Sequence, residues 1–188
     1  MAAWKRGRDW VSDRTDLNTP MNIEANLRLL QLTLPDAPTP LGSYVPAVEA
    51  GNLLFVSGML PIKDGAAMFI GRVGEEVTIE SGRRAAELAA TNALAVARDA
   101  VGLNRLAGVV RLGVHVACAS DFREHAAIAD AASELLNRVF EGGRHSRLAF
   151  GNSSLPSGMP VELELIFLLR PKKKTFHRAT SNKAVLRF

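Results

Sequence analysis

Three charged side chains stand inside apolar, strand-like runs of the last third of the chain. Arg147 lies in His145-Ser146-Arg147-Leu148-Ala149-Phe150, and Glu162 and Glu164 lie in Val161-Glu162-Leu163-Glu164, with the Leu155-Pro156 turn between them. A charge in such a run needs a partner or a purpose, because an unpaired buried charge is costly. A guanidinium is a two-pronged donor for a carboxylate. A glutamate next to it can handle a proton or orient a water. Glu162 and Glu164 are two residues apart and share one face of a strand. A purely structural ion pair of Arg147 with Glu162 or Glu164 satisfies the same residues.

The other reactive side chains form no comparable constellation. His115, His125 and His145 lack metal-ligand spacing. His145 is two residues from Arg147 and can share its face, or sit in a solvated loop. The single cysteine, Cys118, excludes an internal disulfide and a cysteine-only metal site. Its strand-like setting reads as that of a small buried hydrophobe. Gly71-Arg72-Val73-Gly74 is too short a signal for phosphate binding.

The 188 residues, 47% of them hydrophobic, suffice for one domain with a sizeable core. No apolar run reaches the roughly 20 residues that span a bilayer. The first residues lack the apolar segment of a secretory signal, so a soluble cytoplasmic protein is expected. Net charge is +4, but its distribution matters more than its sum. Residues 170–188 carry seven Lys or Arg and no acid, whereas residues 21–169 carry 12 basic and 16 acidic side chains. A nucleic-acid face needs basic residues clustered on the folded body, so the mildly acidic body argues against one. The run Lys172-Lys173-Lys174 reads as a solvated tail, or as a weak, salt-sensitive phosphate contact.

These charges must be positioned by a single domain over residues 21–169, flanked by an N-terminal extension (1–20) and the basic tail (170–188). Met21 reads as the natural beginning. Ile23, Leu27 and Leu30 predict a short helix capped by Asn22. The prolines at 35, 38 and 40 then impose an extended linker, completing an N-terminal segment over 21–40. Tyr44–Val48 predicts an edge strand, since Pro46 has no N–H for a central ladder. Gly51-Asn52 is a turn, and Leu53–Gly58 is apolar enough for a strand buried on both faces. Residues 61–74 read as a loop with a short strand at Met68–Ile70. Thr78 opens a long helix on which Ala86, Ala90, Ala93, Ala97 and Val101 share one face, and Gly102 closes it. Val109–Ala119 is a strand with Val110, Leu112, Val114 and Val116 on one side. Asp121 caps a second helix running to about Phe140, with Ile128, Ala131, Leu135 and Val139 inward and Gly142-Gly143 closing it. Arg147–Asn152 and Val161–Leu169 are the last strands. The order β-β-α-β-α-β-β predicts an α+β fold, one mixed β-sheet with two helices packed on one face. The other face is too apolar for water, so an oligomer is expected.

Read in order, Gly42-Ser43-Tyr44-Val45-Pro46-Ala47-Val48, Gly51–Gly58, Asp121-Phe122, Arg147, Leu155-Pro156 and Val161-Glu162-Leu163-Glu164 resemble the RidA family, also called YjgF/YER057c/UK114. The match spans about residues 40–169. The extra N-terminal helix and Gly142–Arg147 look more like a less-characterised RidA-like subgroup than the archetype. The resemblance implies a chorismate-mutase-like fold (of the bacillus enzyme's kind) and a homotrimer with clefts between subunits. It implies hydrolysis of reactive 2-imino and enamine acids to 2-keto acids and ammonia, with no metal or organic cofactor. It assigns Arg147 to grip the substrate carboxylate and Glu162 to polarise the attacking water. Tyr44, Ser57 and Gly58 then line the pocket, and Ala149 occupies the wall position where the archetype has cysteine. Met59 and Ala126 stand where the archetype has glutamine and asparagine. Two other readings stay open: a non-catalytic trimer binding small carboxylate metabolites, and an RNA-binding or endoribonuclease-like role.

Overall fold

The computed structural model describes residues 22–141 and 143–172. The N-terminal extension, most of the basic tail and Gly142 lie outside the described residues, and so do the expectations placed on them.

Helix α1 (Ile23–Leu29) forms as expected. Asn22 caps it through Oδ1, which accepts from the Ala25 N–H at 2.9 Å. Ile23 and Leu27 are its buried face, set against the second long helix. After the proline linker come β1 (Ala47–Ala50) and β2 (Leu53–Met59), an antiparallel hairpin turned at Gly51, whose φ of 62° suits glycine. Tyr44 and Val45 precede β1 rather than belong to it: the proline at 46 delays pairing until Ala47 meets Val56.

The strand expected at Met68–Ile70 is not one. The local pairing is a two-residue hairpin, β3 (Ile62–Lys63) with β4 (Ala66–Ala67), turned at Asp64-Gly65. Asn92, fully buried on the long helix α2 (Ile79–Val101), donates to the Leu60 and Ile62 carbonyls at 2.8 Å and anchors this segment. Helix α2 is capped by Thr78 and ends at Gly102 (φ 82°). Its alanine column, Ala86, Ala90, Ala93 and Ala97, is wholly buried. Methyl-sized side chains let its axis lie close to the sheet.

Strand β5 (Leu106–Ala117) departs from strict alternation. A register shift between Val109 and Arg111 puts Val109 in the core and leaves Val110 half-buried at the bulge. Helix α3 (His125–Val139) starts four residues beyond Asp121, which sits in a turn; Glu124 occupies the cap position without a side-chain bond. Ile128, Ala131, Leu135 and Val139 face inward as expected. Strands β6 (Ser146–Asn152) and β7 (Val161–Leu169) complete the chain.

The main sheet runs β1-β2-β7-β5-β6, antiparallel except for the β5–β6 pair, whose crossover is α3. Helix α2 covers β2 and β7, α3 covers β5 and β6, and the two helices pack together. Gly82 permits that contact: a Cβ there would lie 2.8 Å from Ile128 Cδ1. Among the described residues, the opposite sheet face carries no helix. There Val48, Phe55, Leu148 and Phe150 are 41–52% exposed. Leu53–Gly58 is therefore buried on one face only within a single chain, and its other face contributes Phe55 to an open apolar surface.

Candidate functional site

Strand pairing decides where each charge points. Arg147 pairs with Leu112, a core residue, so its side chain is on the helix-covered face. Glu162 pairs with His115, which also pairs with Phe150, on the open face. The arginine and the glutamates thus occupy opposite faces of one sheet, and the Arg147 ion pair is not made with either of them.

Its partner comes from α3. Arg147 Nη1 donates to Asp130 Oδ1 at 2.6 Å and to Ser133 Oγ at 3.1 Å. Ser133 Oγ also lies 3.0 Å from His145 Nε2. His145 is thus half-buried in this cluster rather than a free loop residue, and burial, helped by the Arg147 charge, pushes its pKa below the usual histidine value. Ala149 follows Arg147 on the same face, half-buried. Ala126 is exposed in the first turn of α3. Ala149 and Ala126 carry methyl groups where the archetype has cysteine and asparagine.

On the open face Glu162 is half-buried, and burial pushes its carboxyl above the usual range, opposed by the charge of His115. It makes no ion pair among the described residues. Gly58 accommodates it: any Cβ at that position would collide with the Glu162 carboxylate. The β2–β7 register shift between Val56 and Met59 brings Ser57-Gly58 to this spot. Ser57 Oγ donates to the Val45 carbonyl at 2.8 Å, which fixes the segment before β1. Tyr44 lines a narrow pocket with Gly58 and Met59, and its hydroxyl accepts from the Leu41 N–H at 3.3 Å. Glu164 is engaged elsewhere, by Arg111 at 3.2 Å.

The sequence-derived residues thus fall into two half-sites. One holds Tyr44, Ser57, Gly58 and Glu162; the other holds Arg147 and Ala149. Sequence reasoning missed Asp130 and Ser133, which sit three apart on α3 and so share a face. It also missed the approach of Cys118 to His125, where Sγ and Nε2 are 3.4 Å apart. Among the described residues, no group of three or more His, Cys, Asp or Glu side chains gathers for a metal, and no helix is long and apolar enough to cross a membrane.

The chain has recognisable relatives. Residues 24–170 match the family model described as "YjgF/chorismate_mutase-like, putative endoribonuclease". Protein TCP17 of Trypanosoma cruzi is 37% identical over 147 residues, covering 77% of this chain and 92% of its own length. A Dermatophagoides farinae protein named 2-iminobutanoate/2-iminopropanoate deaminase is 28% identical over 138 residues, covering 73% of this chain and 94% of its own. The crystal structure of Atu1372 from Agrobacterium tumefaciens, described as of unknown function, superposes with a TM-score of 0.72 at 40% identity, covering 78% of this chain and 92% of that one. An α+β sheet with both long helices on one face, matched over most of its length in sequence and in shape, places this chain in the YjgF/RidA family with its chorismate-mutase-like fold.

Proposed function

We propose that this protein hydrolyses small 2-imino or enamine acids to 2-keto acids and ammonia, in clefts between the subunits of a homotrimer. One observation carries the reading. A guanidinium on the edge strand β6 and a half-buried carboxylate without an ion-pair partner among the described residues occupy opposite faces of the same sheet. Each half-site is incomplete, and the open apolar face is the surface on which a second copy would supply the other half. The deaminase named among the relatives supports the reaction class.

In this reading Arg147 receives the substrate carboxylate as a two-pronged donor and exchanges Asp130 for it. Orientation of the imine carbon follows from that clamp. Glu162 takes a proton from water as the water attacks the imine carbon. Its raised pKa makes it a stronger base than a solvated glutamate. Glu162 returns that proton to the nitrogen to give a carbinolamine, then relays the hydroxyl proton to the same nitrogen, so that ammonia leaves as the carbonyl forms. Tyr44, Ser57 and Gly58 shape the wall beside Glu162. The test is the rate of 2-iminopropanoate hydrolysis by the wild type and by Arg147→Ala. A wild-type rate no faster than buffer would sink the enzymatic reading.

A second reading, a trimer that binds small carboxylates without turnover, is favoured by Ala149 and Ala126, which stand where the archetype has cysteine and asparagine. Binding of 2-ketobutyrate that disappears in Arg147→Ala, with no hydrolysis, would select it.

A further inference from the structure

A cavity of about 430 Å³ opens between the start of α3 and the end of β6. Cys118, Phe122, His125 and Gly151 line it together with two cations, Arg72 and Arg123. Arg147, Ala149 and Glu162 are not part of its wall. Cys118 is the sole cysteine of the chain. Its Sγ lies 3.4 Å from Nε2 of His125, within hydrogen-bond reach for sulfur.

Two features hold that approach. Phe122 meets the His125 ring edge-on, with centroids 5.1 Å apart. Gly151, across from the pair on β6, carries no side chain; a Cβ there would lie 2.5 Å from His125 Nε2 and 3.1 Å from Cys118 Sγ. The space occupied by the thiol and imidazole therefore exists because position 151 is glycine. The two arginines differ in their commitments. Arg72 is paired with Glu75. Arg123 donates only to the Ser120 and Phe122 backbone carbonyls and makes no ion pair among the described residues. A thiol with an imidazole in reach of its proton is the arrangement that generates a nucleophilic sulfur. A guanidinium free of carboxylates on the same wall selects an anionic reactant.

We propose that Cys118 and His125 form a nucleophilic pair that adds small α,β-unsaturated carboxylates, with Arg123 receiving the carboxylate. His125 Nε2 takes the thiol proton as the S–C bond forms at the β-carbon. The alkene π pair moves to the α-carbon, which then takes the proton back from His125. Sulfur and hydrogen add across the double bond, and no oxidant, reductant or leaving group is involved. This site is independent of the Arg147 half-site and of any hydrolysis there.

The test compares acrylate with acrylamide on the full chain, followed by intact mass. Ordinary thiols add acrylamide much faster than acrylate, because the anionic carboxylate activates the alkene poorly. The native protein is expected to take up one acrylate. Its acrylate-to-acrylamide rate ratio should be about tenfold or more above that of the urea-unfolded chain, the preference one charged hydrogen bond supplies. Arg123→Ala, at an exposed side chain, should return the ratio to the unfolded value. His125→Gln should slow both reagents about tenfold or more, as loss of a general base does. Gly151→Ala, which drives His125 from Cys118, should do the same, and Cys118→Ser should take up nothing. A native ratio equal to the unfolded one would overturn the proposal, as would rates indifferent to both His125→Gln and Gly151→Ala. The wild-type ratio decides the matter by itself if a variant fails to fold.

Discussion

Replacing Asp130 by Asn tests the central feature of the Arg147 half-site, an arginine already held by an internal carboxylate. Asparagine has the same shape and its Oδ1 still accepts from Arg147, so the change removes charge and little else. The pair is short, 2.6 Å, with side chains 25% and 48% exposed. Partly exposed ion pairs contribute about 0.2–1 kcal/mol, and hydrogen bonds to charged groups about 1.5–3 kcal/mol. Solvent access at Asp130 keeps the pair below the second range and its short, partly buried geometry puts it at or above the top of the first, at about 1–1.4 kcal/mol. An entering carboxylate must displace Asp130, so that amount opposes binding in the wild type. Asp130→Asn should therefore bind 2-ketobutyrate about five- to tenfold more tightly. It should also lose about 1 kcal/mol of stability. Titration calorimetry measures the first and urea unfolding the second. In an Arg147→Ala background the affinity effect of Asp130→Asn should vanish, the signature of a coupled pair. Unchanged or weaker binding by Asp130→Asn alone would refute the competition argument and recast Asp130 as the residue that aims Arg147.

Two further outcomes follow from buried polar groups. The Glu162 carboxyl titrates above its unfolded value because burial disfavours its charge, so its contribution to stability is fully present below about pH 4.5 and is lost as pH rises through the folded pKa. Glu162→Gln should be more stable than the wild type at pH 7, and that advantage should fade in acid unfolding curves taken below pH 4; a pH-independent difference would show that charge burial is not its cause. Asn92→Ala removes the donor from both the Leu60 and Ile62 carbonyls. Loss of two bonds at a fully buried site should cost about 2–4 kcal/mol in urea unfolding, with an unchanged m value; a loss below 0.5 kcal/mol would mean that water replaces the amide.

The sequence by itself determined the elements and their amphipathic faces. Asn22 and Thr78 as caps, the alanine column of α2, the inward row of α3 and the bounds of β7 all follow from local rules: capping geometry and helical or strand periodicity. The open apolar sheet face was legible for the same reason, since two helices cannot cover both sides. Asp121 misled, because a capping residue type is necessary but not sufficient: the chain makes a turn there and α3 begins at His125. Val110 misled because a bulge reverses the parity of a strand, and a bulge is set by pairing with β7 rather than by β5 alone. Only the tertiary structure decided which way Arg147 points and what holds it. Alternation says that Arg147 and Ala149 share a face; it does not say which face of the sheet that is. Pairing of Arg147 with Leu112 turned it toward α3, and so gave it Asp130, 17 residues away in sequence, instead of the glutamates. The Cys118–His125 contact has the same origin. It needs a β-strand end, the first turn of a helix and the missing side chain of Gly151 to meet at one point, and only the packed chain brings them there.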